Sequence, residues 1–169
     1  FIDAKDVIQF NRYGTLDNEA TELKLKDALS KSEKAVIPGF YGSDPEGNII
    51  TFSRGGSDVT GALVAANINA DLYENWTDVS GFLMADPKIV EHPMQIKKIT
   101  YRELRELSYM GASVLHEEAV FPVRNAGIPI NIKNTNAPED SGTFIVSSRE
   151  NSSNRTLTGI AGKKNFTVI

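Results

Sequence analysis

The stretch from residue 51 to 65, Thr-Phe-Ser-Arg-Gly-Gly-Ser-Asp-Val-Thr-Gly-Ala-Leu-Val-Ala, constrains the fold of this chain most. An extended apolar run leads into a helical pattern through a loop of small residues that carries Arg54 and Asp58. The Gly-Gly pair permits a tight turn and close approach of a ligand, and Ser57 or Asp58 is placed to cap the helix. Because free N–H groups at a helix start favour negative charge, we predict an anion site here. A plain glycine turn with a solvated arginine is the alternative.

Composition excludes several classes of function. The chain has 169 residues, of which 40% are hydrophobic, so it can bury one core of ordinary size. It has no cysteine, which excludes disulfides and thiol catalysis, and its two histidines are too far apart in sequence to indicate a zinc site. Charges of both signs are mixed, with a net charge of −4, and no apolar run is long enough for a membrane span. We therefore predict a cytoplasmic protein that binds neither nucleic acid nor membrane.

The first third of the chain predicts a helix followed by a hairpin. Apolar residues recur at tolerable helical spacing within residues 18–31, at Ala20, Leu23, Ala28 and Leu29. Residues 34–40 then have the pattern of a short buried strand. The sequence Asp-Pro-Glu-Gly at 44–47 is typical of a turn, and a second strand is expected at 48–52.

The segment after the hairpin predicts a βαβ unit. A helix is expected over residues 58–67, where Val59, Ala62, Leu63 and Ala66 recur at helical spacing, and residues 70–79 return to an extended pattern. A strand, a helix and a second strand in this order are typical of a parallel sheet. Ligands of such sheets lie beyond the carboxyl ends of the strands, where residues 53–58 and 77–88 are expected.

The second half of the chain predicts two more helices and two strands. Thr100-Tyr101-Arg102-Glu103 is a capping box, and the helix that follows is expected to bury Tyr101, Leu104 and Leu107 and to end at Gly111. Another helix starts near His116 and carries Pro122, a residue tolerated in a first turn or at a kink. Strands are predicted at residues 128–133 and 143–146.

The end of the chain predicts a domain boundary. Residues 148–155 are polar and lack apolar periodicity, so they are expected to be a linker between a domain at 1–147 and a second one that begins at 156. A strand is expected at 165–169, where the second domain is cut short. Phe1 is expected to be an internal residue of a longer polypeptide, since no initiator methionine or signal pattern precedes it.

Four motifs, read together, resemble those of the aspartokinase family in order and spacing. They lie at residues 54–58, 76–81, 86–88 and 111–116, and the resemblance extends over nearly the whole chain. It implies the amino acid kinase fold, a three-layer α/β/α sandwich, of which this chain is part, chiefly the nucleotide-binding half. It also implies that residues 156–169 open the first ACT regulatory domain.

The resemblance assigns the first motif to the amino acid substrate. Arg54 matches the arginine that grips a carboxylate of L-aspartate, a task suited to a planar bidentate donor. Gly55, Gly56 and Ser57 match the rest of the substrate loop, and Asp58 matches the residue that contacts the substrate's ammonium group. The family's phosphate-binding lysine, in a Lys-Phe-Gly-Gly segment, has no counterpart in this chain and is expected upstream, so we assign no catalytic residue here.

The resemblance assigns the other motifs to the nucleotide. The matching positions are Thr77 and Asp78 at a strand end, Leu83, Asp86 and Lys88 in the following loop, and Ser113 and Val114. Three of them differ from the common family residue, since Leu83 replaces tyrosine, Lys88 replaces arginine and Ser113 replaces lysine. Lys88 keeps a positive charge near phosphate but lacks the bidentate fork. The acidic pair after His116 also replaces a common Pro-Arg. We interpret these differences as a variant of the site.

The implied reaction is transfer of the γ-phosphoryl group of ATP to the β-carboxylate of L-aspartate, the first step towards lysine, methionine and threonine. A carboxylate is already a competent nucleophile near neutral pH, so positioning and charge neutralisation by Mg²⁺ are expected to suffice. The resemblance also implies homo-oligomers formed through ACT domains and an effector such as lysine or threonine. The 169 residues alone are expected to be inactive. The alternatives are a kinase for another amino acid or a carbamate, and a non-catalytic regulatory or dimerisation piece.

Overall fold

The computed structural model describes residues 1–109, 115, 117–149 and 157–162, except for the side chains of residues 109 and 117–119. The described residues form two compact units, one within Phe1–Asp71 and Leu115–Ala126 and one within Leu72–Val114 and Gly127–Ile169. Helices and strands are mixed in the chain, which confirms the predicted α/β class. The elements are α1 (Ala4–Val7), α2 (Asn18–Leu29), β1 (Tyr41–Ser43), β2 (Ile49–Thr51), α3 (Gly56–Asn67), β3 (Tyr73–Thr77), β4 (Lys98–Thr100), α4 (Tyr101–Tyr109), α5 (Glu117–Asn125), β5 (Ile130–Asn134) and β6 (Thr143–Val146).

The predicted hairpin is present in the first unit, but its first strand is displaced. β1 and β2 pair antiparallel, and the peptide N–H of Gly47 donates to the Asp44 carbonyl at 3.0 Å in the turn. The strand expected at residues 34–40 is wrong, because Pro38 has no N–H for a ladder and Phe40 has a left-handed φ of 75°. Val36 in that stretch is 69% exposed. The strand therefore begins only at Tyr41.

The helices α2 and α3 of the first unit form close to the predicted places, whereas α1 was not predicted. The Asp17 side chain accepts a hydrogen bond from the Ala20 N–H at 3.0 Å and caps α2. The apolar face of α2 differs from the prediction, since Leu23 is 66% exposed while Thr21 and Leu25 are fully buried. Thr21 faces inward because its hydroxyl oxygen accepts from the buried Gln9 N–H at 2.9 Å. The core of this unit comprises Ala4, Val7, Ile8, Phe10, Leu25, Val59 and Leu63.

The sheet of the second unit has the strand order β3-β5-β6-β4. β3 and β5 are parallel, β5 and β6 antiparallel, and β4 and β6 parallel. The expected βαβ unit is wrong, because β2 pairs with β1 in a separate two-stranded sheet while β3 pairs with β5. The turn at 44–47 pairs β2 with its neighbour β1, but local pattern did not show that β3 pairs with β5, which lies more than 50 positions later in the chain. One face of the larger sheet is buried and carries Ile99, Ile130, Ile132, Thr143 and Ile145.

The predicted capping box starts α4. The Thr100 N–H donates to Glu103 Oε2 at 2.9 Å, and the Glu103 N–H donates to Thr100 Oγ1 at 3.2 Å. Tyr101 and Leu104 are buried, as expected, and the Tyr101 hydroxyl donates to the Ile128 carbonyl at 2.5 Å. The expected end of this helix at Gly111 lies outside the described residues.

The predicted second helix of this half is α5, which contains Pro122 past its first turn. A proline there costs one backbone hydrogen bond of the helix. Both predicted strands of this half are present as β5 and β6. None of the helices in the described ranges has the length and apolar character needed to cross a bilayer. The linker at 148–155 and the strand at 165–169 fall mainly outside the described residues, so the domain boundary stays a prediction.

Glu103 has partners beyond the capping box. Its Oε1 accepts from Arg149 Nη2 at 2.6 Å and from the Thr158 hydroxyl at 2.5 Å. Burial of the carboxyl raises its pKa, but the hydrogen bonds from Thr158 and Thr100 and the charge of Arg149 outweigh burial. The pKa of Glu103 is therefore below its ordinary value.

A depressed pKa at Glu103 predicts a loss of stability in acid. The stabilisation is fully present above the pKa of an unfolded glutamate, about 4.3, and disappears as the pH falls through the lower folded value. The Glu103→Gln variant is expected to show a flatter pH dependence of its unfolding midpoint in that window. Glu106→Gln, on the exposed side of the same helix, is the control and should follow the wild-type profile. Identical profiles for wild type and Glu103→Gln would contradict the prediction.

Candidate functional site

The predicted substrate loop joins β2 to α3 in the first unit. Gly55 is the residue before the helix, and its left-handed φ of 60° lets the chain reverse there. Gly56 is the first helical residue, and a Cβ at this position would lie 2.8 Å from Phe40 Cα and from Phe52 Cβ. Each glycine therefore has its own physical reason: Gly55 allows the chain to turn, and Gly56 allows Phe40 and Phe52 to pack closely against the helix start.

The start of α3 is not capped by a side chain. The prediction that Ser57 or Asp58 caps the helix is wrong, because the helix begins at Gly56 and both residues lie inside its first turn. Gly55 at the cap position has no side chain to offer. The loop thus presents a helix N-terminus whose dipole favours negative charge, and the anion site stays a prediction.

Two charged side chains flank this helix start. Arg54 is exposed, and within the described part of the chain it has no ion pair and no side-chain hydrogen bond. Asp58 is partly buried in the first turn of α3, where a carboxylate also interacts favourably with the dipole. An arginine and a carboxylate a few residues apart can together receive a molecule that carries both a carboxylate and an ammonium group.

The loop is supported by a segment around Phe40, which the sequence did not predict to lie there. Phe40, with its left-handed backbone, donates its N–H to Thr60 Oγ1 at 3.2 Å and accepts from the Phe52 N–H at 3.0 Å. Thr60 Oγ1 in turn donates to the Gly56 carbonyl at 2.8 Å. A Cβ on Gly39 would lie 2.9 Å from Ser57 Cα. The Pro-Gly pair before the aromatic Phe40 is a local signal for this turn, although the apolar pattern of residues 34–40 predicts a strand.

The predicted nucleotide residues lie in the second unit, and the first pair lies at a strand end as expected. Thr77 is the last residue of β3, and its hydroxyl donates to Asp78 Oδ1 at 3.3 Å. The Thr77 carbonyl accepts from both the N–H and the hydroxyl of Thr135, at 2.8 and 2.9 Å. Because β3 and β5 are parallel and register Thr77 with Asn134, the carboxyl ends of both strands meet here. Hydroxyl and carboxylate groups at such an edge can bind a polar ligand.

A polar network that the sequence did not predict holds the loop after β3. The Ser80 hydroxyl donates to Asp140 Oδ2 at 2.5 Å and accepts from Asn134 Nδ2 at 3.0 Å. Gln95 Nε2 donates to the Ser80 carbonyl. Lys133 donates to the carbonyls of Pro138 and Asp140, so its charge fixes the neighbouring loop. Ser80 lies 54 and 60 positions from Asn134 and Asp140, and contacts at such separations cannot be identified from a single sequence.

The loop predicted to lie beside the nucleotide begins next to an isolated antiparallel β-bridge. Leu83 forms this bridge with Gln95, and Leu83 is 41% exposed. Asp86 accepts a hydrogen bond at Oδ1 from the Lys88 N–H at 2.8 Å, so its side chain forms a turn. Lys88 is exposed, and its ammonium group has no ion pair in the described ranges. The loop therefore offers a positive charge and an apolar side chain to solvent.

The two remaining predicted nucleotide contacts, Ser113 and Val114, lie outside the described residues. Within the described ranges, no group of three or more His, Cys, Asp or Glu side chains could hold a metal ion. Magnesium often binds through one or two carboxylates and the phosphates of a nucleotide, so a single residue such as Asp78 is compatible with it.

Comparison with known protein families and curated proteins identifies relatives. The sequence profile of the amino acid kinase family matches residues 3–134. Aspartokinase 3 of Bacillus subtilis is 51% identical over 134 residues, which are 79% of this chain and 29% of that protein. An aspartokinase of Rickettsia felis is 37% identical over 145 residues, covering 86% of this chain and 36% of the relative. The chain thus spans about a third of the length of these relatives.

Solved structures show the same relationship. The aspartate kinase of Clostridium acetobutylicum superposes with a TM-score of 0.89 at 62% identity, over 95% of this chain and 37% of that one. Aspartokinase III of E. coli, solved in complex with aspartate and ADP, has a TM-score of 0.78 at 31% identity over 89% of this chain and 35% of that one. The profile match covers most of the chain, and the structural matches agree with it. The chain therefore belongs to the amino acid kinase family.

Proposed function

We propose that the complete polypeptide containing this chain is an aspartokinase, which transfers the γ-phosphoryl group of ATP to the β-carboxylate of L-aspartate. The observation that carries the proposal is Arg54, exposed and without an ion pair in the described ranges, beside the uncapped start of α3. The similarity to curated aspartokinases over most of the chain supports it.

The substrate loop is proposed to bind aspartate. Arg54 binds one carboxylate through two parallel hydrogen bonds, and the N–H groups of Gly56 and Ser57 add partial positive charge. Asp58 binds the ammonium group. This division of labour distinguishes an amino acid from a simple dicarboxylate, since only the amino acid has a cation for Asp58. E. coli aspartokinase III has been solved with bound aspartate, which supports an amino acid ligand for the family site.

The strand end and the loop of the second unit are proposed to bind ATP. Thr77 and Asp78 contact the nucleotide at the carboxyl end of β3, and Lys88 contributes charge for the phosphates. Leu83 packs against the adenine without a hydroxyl, and Asp86 shapes the loop by holding the Lys88 N–H. We retain Ser113 and Val114 as further nucleotide contacts on the basis of the resemblance alone.

Catalysis is proposed to rest on positioning and charge neutralisation. The substrate carboxylate is ionised near neutral pH, and one of its oxygens attacks the γ-phosphorus. The bond from the γ-phosphorus to the β–γ bridging oxygen breaks, and ADP leaves with that oxygen. Mg²⁺ supplies charge neutralisation on the phosphate oxygens when it is bound. The lysine that stabilises the transferring group is proposed to come from residues outside this chain, since no Lys-Phe-Gly-Gly segment occurs in the 169 residues.

Three wider features belong to the same proposal. We propose homo-oligomers formed through ACT domains, regulation by an amino acid such as lysine or threonine, and a cytoplasmic location, where ATP is abundant. A structure of E. coli aspartokinase III with lysine and aspartate supports the effector. The place of the reaction at the start of lysine, methionine and threonine synthesis follows only if the activity is confirmed.

The activity is tested by trapping the acyl phosphate with hydroxylamine. The complete polypeptide, supplied with ATP and Mg²⁺, is expected to form the hydroxamate with L-aspartate and at least about tenfold less with glutamate, whose extra methylene misplaces the reacting carboxylate. The isolated 169-residue chain is expected to form none and is the matched control. Equal rates with both amino acids would favour a different amino acid kinase. No product from the complete polypeptide would favour a regulatory or dimerisation role.

A further inference from the structure

A segment late in the chain lies directly against the base of the predicted nucleotide loop. The Ile160 N–H donates to the Met84 carbonyl at 2.7 Å. A Cβ on Gly159 would lie 3.3 Å from that carbonyl oxygen and 3.4 Å from the terminal carbons of Ile96 and Leu107. We call residues 157–160 the strap; its backbone at Gly159 and Ile160 lies against Met84, Ile96 and Leu107 of the same unit, with little space for a side chain at Gly159.

Met84 is the last residue paired before the predicted nucleotide loop begins, next to the bridge between Leu83 and Gln95. The Met84 N–H donates to the Met94 carbonyl at 2.8 Å, and the Ile96 N–H donates to the Phe82 carbonyl at 2.8 Å. Residues 85–93, which include Asp86 and Lys88, form the excursion between these pairs. The Met84 N–H is bonded to Met94, and the Met84 carbonyl is bonded to Ile160 of the strap. Both backbone polar groups of Met84 therefore have partners.

A second tether holds the strap two residues before Ile160. The Thr158 hydroxyl donates to Glu103 Oε1 at 2.5 Å, and Arg149 Nη2 contacts both Glu103 Oε1 and Thr158 Oγ1, at 2.6 and 2.7 Å. Arg149 Nη1 also donates to the Lys98 carbonyl at 3.1 Å. The side chains of Arg149 and Glu103 are only 27% and 28% exposed, so water screens this ion pair less than a surface one.

We propose that Thr158, Glu103 and Arg149 are positioning residues for nucleotide binding, acting through the strap on Met84 and the loop that carries Lys88. The hydroxyl of Thr158 holds the strap in place, and the strap in turn holds the Met84 carbonyl. Because Met84 is also bonded to Met94, the two ends of the loop at residues 85–93 are held at a fixed separation. This inference rests on the proposed nucleotide site. By thermodynamic linkage, a bound nucleotide stabilises the strap as much as the strap stabilises the bound nucleotide.

Hydrogen exchange at the Ile160 amide tests the tether without any nucleotide. In the complete polypeptide, Thr158→Val removes the hydroxyl while keeping the shape, and exchange at Ile160 is expected to become about tenfold faster. Thr158→Ser restores the hydroxyl and should restore slow exchange. Thr15→Val, an exposed threonine in the first unit, is the control and should change nothing at Ile160. Unchanged exchange in Thr158→Val overturns the inference.

Calorimetry with ADP and steady-state kinetics test the step from strap to nucleotide. Thr158→Val is expected to weaken ADP binding and raise the KM for ATP by about tenfold, the size of one lost hydrogen bond to a charged group, with the KM for aspartate unchanged. Added ADP should slow Ile160 exchange in wild type. Fast exchange with normal ADP affinity, or an equal rise in both KM values, overturns the inference. Wild type that fails to bind ADP instead contradicts the proposed function, while the exchange result still reports on the tether.

Discussion

Replacing Arg54 with alanine in the complete polypeptide is expected to raise the KM for aspartate about 100-fold and to leave the KM for ATP nearly unchanged. The loss corresponds to about 3 kcal/mol, the upper end of the range for hydrogen bonds to a charged group. Arg54 has no ion pair or side-chain hydrogen bond in the described ranges. Its removal should therefore affect the ligand without destabilising the fold. Steady-state kinetics with each substrate varied separately measures the effect.

Two variants accompany this measurement. Arg54→Lys keeps the charge but loses the planar fork, so an intermediate KM for aspartate is expected. Arg12→Ala, an exposed arginine elsewhere in the first unit, should leave both KM values at the wild-type level. A normal aspartate KM in Arg54→Ala would remove Arg54 from the site. A rise confined to the KM for ATP would move it to the nucleotide.

Replacing Gly142 with alanine is expected to reduce the free energy of unfolding by about 3–5 kcal/mol. Gly142 has a left-handed φ of 72°, and a Cβ would lie 2.0 Å from the Ile132 carbonyl oxygen and 2.8 Å from Asn131 Oδ1. Ile132 cannot move aside easily, because β5 is paired with strands on both sides. A urea titration followed by the fluorescence of Trp76, the single tryptophan of the 169 residues, measures the loss.

Gly127 is the matched control for this variant. Its φ of 71° is nearly the same, but nothing lies within 4 Å of the position that a Cβ would take. Gly127→Ala therefore reports only the cost of the backbone conformation, about 1–2 kcal/mol. Equal losses in the two variants would show that the contact with β5 contributes nothing. A difference of several kcal/mol would assign the larger part to the close approach.

Local signals were sufficient to predict α2 to α5 and the strands β5 and β6, but they did not indicate α1 or β4. The capping box at Thr100 and Glu103 fixed the start of α4, because its two hydrogen bonds join residues three positions apart. The turn at residues 44–47 was also predicted, since Gly47 supplies the positive φ that the turn needs. The strand at 34–40 failed because an apolar pattern does not reveal that Phe40 adopts a left-handed backbone to pack beside Gly56.

The pairing of the distant strands could not be predicted from local patterns. The pattern after residue 48 predicted a strand, a helix and a strand, and the turn at 44–47 predicted that β2 pairs with β1, but no local signal indicated that β3 pairs with β5. Pairing depends on contacts between segments far apart in sequence, as in the register of Thr77 with Asn134. The Ser80 network and the strap on Met84 belong to the same class of long-range contacts.

The sequence by itself determined the family motifs and the chemical types of the candidate site: an arginine and an aspartate around a glycine pair, and a Thr-Asp pair at a strand end. These depend on side-chain chemistry and on neighbours within a few positions. Only the tertiary structure decided that Gly55, not Ser57 or Asp58, precedes α3, and that Phe40 and Thr60 support the loop. It alone brought Thr158 and Glu103 together, because a hydrogen bond across 55 positions depends on how the whole unit packs.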